Sequence, residues 1–242
     1  MYDAVVLDND GVLVGLSGPD LLAEAIERTY RAVGVPSPSD ADRAALGLGT
    51  SPERVRRACE RHGLDPAAVW ARRDRTVSEL ERAAIRSGEK PLYDDIDALS
   101  ALSVPLGVAS NNVRATVACV LDRAGLADRV GAVRARRPRL ESLERRKPDP
   151  YLVRRALADL GVEPRRALFV GDSASDVVAA DRAGADAALL VRPGRDPPDD
   201  LPTTPEHTVA SLADLPSLVA GDTEGARPPA EGDGGAGGAG GR

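Results

Sequence analysis

Ala4-Val5-Val6-Leu7-Asp8-Asn9-Asp10-Gly11-Val12-Leu13 is the stretch on which the fold turns. Ala4 to Leu7 is a continuous apolar run, β-branched at its centre. Such a run predicts a strand buried on both faces, as in a parallel sheet covered by helices. It ends in two carboxylates two residues apart, then a glycine. Alternate residues of an extended chain point the same way, so Asp8 and Asp10 are placed to face one site. Open α/β sheets bind their ligands at the carboxyl ends of the strands. Gly11 lets the backbone leave the strand sharply.

Two neighbouring carboxylates repel, and desolvation sharpens the repulsion. A divalent cation removes the conflict. Mg²⁺ takes oxygen ligands, commonly one or two carboxylates, with phosphate and water completing its shell. The pair can also divide the work of phosphoryl transfer: one carboxylate attacks while the other, protonated, donates to a leaving oxygen. The bland alternative is a strand that ends in a solvated Asx/Gly turn.

The chain has 242 residues, enough for one large or two small domains. Aromatic residues make up only 2%, so the core must be built from Ala, Val and Leu. A formal charge of −6 and a pI near 5.1 argue against a general attraction to nucleic acid or anionic membrane. Lys90 and Lys147 are the only lysines, and Asp outnumbers Glu. That pattern fits GC-rich coding or adaptation to high salt. Cys59 and Cys119 form neither a disulfide framework nor a metal spacing. With no signal-peptide pattern, and no apolar run near the ~18 residues of a membrane span, a cytoplasmic protein is expected.

From residue 17 to 88 the pattern predicts helices only. They cover Leu21 to Val33 (capped by Ser17 or Asp20), a segment from Ala41 to about Gly47, 52–62, and about 66–87. Residue 90 onward alternates strands and helices. A helix carrying Ile96, Leu99 and Leu102 leads to a strand at Pro105–Ala109 that ends in Ser110-Asn111-Asn112, and a helix over 113–124 follows. Val130–Val133 is a weak strand. Residues 134–146, dense in arginine, read as an exposed loop. Lys147-Pro148-Asp149-Pro150 opens a helix over 151–160. Ala167–Val170 is a strand ending in Gly171-Asp172-Ser173-Ala174-Ser175-Asp176. A helix over 176–183, a strand at Ala187–Val191 and a last helix near 211–219 complete the pattern. The expected architecture is α/β, a Rossmann-like parallel sheet core with an inserted all-helical cap. The core comprises 1–14 and 90–220, the cap 15–89, and 221–242 is a Gly-rich tail expected to be disordered.

In a parallel sheet all strand ends lie on one side. Asp8/Asp10, Ser110/Asn111 and Asp172/Asp176 can therefore converge, and Lys147 adds a cation at a helix entry. Taken singly, Ser110 could be a helix cap, and Asp172 and Asp176 a turn residue and a helix-start acid. Taken together and in this order, Asp-x-Asp, Ser after an apolar strand, Lys, and Gly-Asp-x-x-x-Asp resemble the signature of the haloacid dehalogenase superfamily. The resemblance spans nearly all of residues 4–219. It implies Asp8 as a nucleophile that forms an aspartyl-phosphate. Asp10 would be the acid and then the base. Ser110 and the Asn111 backbone N–H would bind the phosphoryl group, and Lys147 would offset its charge. Mg²⁺ would sit on Asp8, the Asp10 main-chain carbonyl and Asp172, with Asp176 holding metal-bound water or orienting Lys147. Asn9 departs from the usual apolar aromatic at its position, and its side chain is expected to point away from the pair.

The helical insertion resembles the cap of phosphoglycolate-phosphatase-like enzymes, which implies a small phosphorylated metabolite as substrate. Alternatives are a β-phosphoglucomutase-like phosphotransferase, a dehalogenase that needs neither Asp10 nor metal, and a non-catalytic phosphate-binding regulator. Arg43, Arg54 and Arg57 are candidates to meet a substrate carboxylate. His62 and His207 read as structural or surface residues, and Trp70 as cap core.

Overall fold

The computed structural model describes residues 1–221; the expectation of a disordered tail concerns residues that, beyond Gly221, lie outside that range. Six parallel strands form one sheet in the order β3-β2-β1-β4-β5-β6. They are β1 (Ala4–Leu7), β2 (Leu106–Val113), β3 (Val130–Arg136), β4 (Ala167–Gly171), β5 (Asp186–Leu190) and β6 (His207–Val209). The strand order reverses between β1 and β4, and the crevice at such a switch point is where open α/β sheets bind ligands. Asp8 and Asp172 follow those two strands directly.

Every residue of β1 is buried. Val5 and Leu7 face one apolar layer, with Val117, Val120 and Leu121 of α5 (Arg114–Arg123) and Leu218 of α8 (Leu215–Ala220). Val6 faces the other, with Leu152, Val153 and Leu157 of α6 (Tyr151–Leu160) and Val177 of α7 (Ala174–Ala183). Each such side chain, fully buried, stabilises by about 1.5–3 kcal/mol. The double burial explains why β1 reads as an unbroken apolar run rather than an alternating one.

Between β1 and β2 lie α1 (Pro19–Ala32), α2 (Asp40–Leu46), α3 (Pro52–Glu60) and α4 (Pro66–Ser87). Ser39, Ser51 and Asp65 cap the last three through side-chain oxygens. α1 differs from expectation. Its N-cap is Gly18, without a side-chain cap, because Ser17 donates to Glu81 instead. Ile26, Tyr30, Leu46, Val55 and Trp70 pack into a cluster of their own.

The arginine-dense segment is not the exposed loop expected from its charge. β3 runs on to Arg136, and Leu140–Arg145 forms a 3₁₀ turn. Leu140 and Leu143 are buried in the helical cluster. Arg136 is 7% exposed and meets Asp74 of α4 through two nitrogens, at 3.0 and 3.1 Å. The segment at Asp94–Ala101 is likewise a 3₁₀ helix, and Asp95 turns away to accept from Arg192, Ser211 and the Leu212 backbone.

Candidate active site

The carboxyl ends of β1, β2 and β4 bring the separated motifs together. Asp8 lies in the crevice, 9% exposed. Gly11 turns the chain there with φ +78°, and a Cβ at that position would stand 1.8 Å from Asp172 Oδ2. The glycine is therefore required twice, for the left-handed conformation and for the room that Asp172 occupies.

Lys147 is 3% exposed and bridges two acids, with Nζ 2.7 Å from Asp8 Oδ1 and 2.6 Å from Asp176 Oδ1. Burial works against its charge, but Asp176 and Asp8 outweigh burial and its pKa is raised. Asp176 does two jobs. Its Oδ2 accepts from Ser173 N and Oγ at the start of α7, while Oδ1 faces Lys147. Asn111 holds the lysine's backbone: Lys147 N donates to Asn111 Oδ1 at 2.7 Å and Asn111 Nδ2 donates to Lys147 O at 3.1 Å. This side-chain clamp is a role beyond the backbone N–H contact that the resemblance implies. Ser110 is buried and is no helix cap, since α5 starts after Val113. Its Oγ accepts from Asn112 N at 3.1 Å, which leaves the hydroxyl proton free to donate.

Carboxylate oxygens of Asp8, Asp172 and Asp176 lie within 4.8 Å of one another. Burial, opposed by Lys147 and assisted by Asp176 and Asp10, pushes Asp8 up to about 7. Burial and Asp176 push Asp172 up to about 6. Hard oxygen donors that repel one another in this way fit a divalent cation. With Asp176 committed to Lys147 and Ser173, Asp8 and Asp172 are the carboxylates best placed to hold it.

The Asp10 carboxylate stands apart from that cluster. Lys90 Nζ donates to its Oδ1 at 2.5 Å, and Asn112 Nδ2 to its Oδ2 at 2.9 Å. Asn9 corrects an expectation. It is fully buried, and its Nδ2 donates to Asp10 Oδ2 at 3.1 Å instead of pointing away. Glu81 of α4 completes the network. It accepts from Lys90 at 3.1 Å, Asn112 at 2.9 Å and Ser17 at 2.6 Å. Sequence reasoning passed over Lys90, Glu81 and Asn112. The scarcity of lysine was the available signal, because both lysines of this arginine-rich chain are buried here.

Above these groups lies a cavity of about 600 Å³ between the helical insertion and the sheet. Arg73, Arg136 and Arg146 line it. Arg43, Arg54 and Arg57 do not. Arg43 pairs with Glu27 and Asp40 on the surface, and Arg54 and Arg57 are exposed. Trp70 is buried in the insertion's core, as expected, yet also reaches the cavity.

The raised carboxylates set a pH dependence. An acid whose folded pKa is raised keeps its proton longer in the folded chain than in the unfolded one. Folding of the metal-free protein is therefore favoured at low pH, and it weakens as pH rises from about 4 through 6 to 7. Although burial opposes their ionisation, Asp42 and Asp95 are held low by hydrogen-bonding partners and finish titrating below that window. Urea midpoints should fall across this range, and less steeply in Asp172→Asn. A flat profile, or an equal slope in the variant, would contradict the assignment.

The family model for haloacid dehalogenase-like hydrolases matches residues 2–184. A phosphoglycolate phosphatase of Rhodospirillum rubrum is 33% identical over 203 residues, covering 78% of this chain and 80% of that protein. One from Chromobacterium violaceum is 30% identical, covering 89% and 96%. Among solved structures, CbbY from Rhodobacter sphaeroides in complex with phosphate matches with TM-score 0.63 at 24% identity, covering 89% and 96%. That likeness is one of fold. No helix among the described residues is long and apolar enough to cross a membrane.

Proposed function

Because the chain belongs to the haloacid dehalogenase-like hydrolases, we propose that it hydrolyses a small phosphomonoester through an aspartyl-phosphate on Asp8. The observation that carries this reading is Lys147 held between Asp8 and Asp176, beside Asp172 and beneath a substrate-sized cavity.

Asp8 attacks phosphorus, and the bond to the ester oxygen breaks. Asp10, which lines the cavity, gives that oxygen its proton. It then takes a proton from the water that hydrolyses the aspartyl-phosphate, releasing inorganic phosphate and restoring Asp8. Lys147, 2.7 Å from Asp8, favours the carboxylate form that attacks. Ser110 donates its hydroxyl proton to a phosphoryl oxygen. Lys90 and Asn112 fix the direction of the Asp10 carboxylate. Mg²⁺, held by Asp8, Asp172 and the Asp10 main-chain carbonyl, would supply charge neutralisation at the phosphoryl oxygens. The insertion serves as a lid that excludes water and reads the substrate. Catalysis of this kind rests on positioning and electrostatics.

A panel of phosphomonoesters, phosphoglycolate among them, assayed with and without Mg²⁺ tests the reading. We expect release of inorganic phosphate that EDTA stops. Isomerised ester without net phosphate release would indicate a mutase. No turnover on the whole panel would leave a phosphate-binding protein.

A further inference from the structure

The proposed chemistry uses the cavity's floor and gives its arginines no role. Arg73 of α4, Arg136 at the end of β3, and Arg146 beside Lys147 all line it. Asp74 pairs with the first two, at 3.0 Å each. Three cations against one anion leave two positive charges. The other acids of the lining, Asp10 and Glu81, share Lys90, which offsets one of their two charges and leaves the wall one positive charge in excess.

The donors of this wall are unevenly satisfied. All three nitrogens of Arg136 have acceptors, in the Asn111 carbonyl, Asp74 and Ser142. Arg73, 6% exposed, donates from Nε to Leu46 O and from Nη1 to Asp74; its Nη2 has no protein acceptor among the described residues. Arg146 donates from Nη2 to Thr50 O at 2.5 Å, and its other two nitrogens have none there. Burial lowers the pKa of both Arg73 and Arg146, and Arg136 presses further on Arg146. Trp70 lines the same space at 1% exposure, and its buried Nε1–H lacks an acceptor. The Arg73 guanidinium lies over its ring, 4.8 Å from the centroid. The nitrogens of Arg73 and Arg146 without protein acceptors belong to residues that line the cavity, which suits them to an incoming anion.

The rest of the lining is largely apolar, with Leu16, Leu22, Leu48, Val77, Val113 and Leu143. Leu16 and Leu48 are among the few large apolar side chains left exposed. A polyhydroxylated body would find few partners there, whereas a hydrocarbon or aromatic one would find surface to cover. A cavity of about 600 Å³ is also in the range that takes drug-sized ligands, more than a two-carbon ester fills.

The geometry points to a second anion subsite, in which Arg73 and Arg146 receive a carboxylate or phosphate carried at the other end of an apolar-bodied phosphomonoester. The inference rests on the phosphatase reading and narrows its substrate. Arg136 is a positioning residue, holding Asp74 against Arg73.

Competitive inhibition with Mg²⁺ present tests it without leaving-group effects. 4-Carboxybenzylphosphonate and 4-nitrobenzylphosphonate differ in charge but hardly in shape. The wild type should bind the carboxylate roughly ten- to a hundredfold more tightly, the range for charge-assisted hydrogen bonds. The preference should shrink toward unity in Arg73→Met and, as a second variant at a less buried site, in Arg146→Gln. A 1,4-bis(phosphonomethyl)benzene arm separates the two anions, since the tighter of the two compounds identifies the group the wall accepts. Equal binding of nitro and carboxylate by a wild type that hydrolyses phosphomonoesters overturns the subsite alone. A preference that survives in both variants overturns the residues assigned. A wild type that neither hydrolyses phosphomonoesters nor binds any of the phosphonates overturns the phosphatase reading and the subsite with it.

Discussion

Asp8→Asn should abolish phosphoester hydrolysis, by at least about 10⁴-fold in kcat, as removal of an attacking group does elsewhere. The amide keeps the shape of the carboxylate but cannot attack phosphorus. Folding should survive, because Lys147 still has Asp176 at 2.6 Å and is left with a partner. The substitution also removes a carboxyl group that burial has pushed up to about 7. Above that pH its ionised form weakens folding, so the metal-free variant should melt no lower than wild type near pH 8. Activity and melting temperature together check the argument. Turnover reduced only severalfold would remove Asp8 from the attacking role, and a collapsed melting temperature would show that the loss is structural.

Lys147→Met should have the largest effect on stability. It takes the cation from between Asp8 and Asp176, both buried, and leaves two carboxylates facing each other. Breaking a buried pair by removing one partner costs about 3–5 kcal/mol. The loss should be greatest near pH 8 and shrink toward pH 5, as Asp8, which burial has already pushed up to about 7, takes up its proton. Unfolding by urea at the two pH values is the measurement. An equal loss at both would mean that packing of the lysine stem, not its charge, holds the site.

The Asp8 and Asp172 motifs were legible because each sits where a buried strand stops. An apolar run such as Ala167–Val170 followed by Gly171-Asp172 carries its own location, since strand ends in a parallel sheet share one side. The helical insertion was legible from helix patterns unbroken by any strand between residues 17 and 88, and the structure caps three of those helices with Ser39, Ser51 and Asp65. Partnerships across long sequence separations were not. Arg136 looked solvated among its arginine neighbours, and only Asp74, sixty-two residues earlier, explains its burial. Charge density described the segment's average and missed its one buried arginine. Asn9 was misjudged for a related reason. Strand alternation holds only while the strand lasts, and β1 ends at Leu7, so Asn9 is free to turn toward Asp10.

The seclusion of both lysines has a practical consequence. Lys90 and Lys147 are 4% and 3% exposed. Amine-directed reagents applied to the native protein will therefore find both lysine side chains shielded. Acylation at either one should appear only as the protein unfolds, so labelling of these two positions reports the integrity of the site.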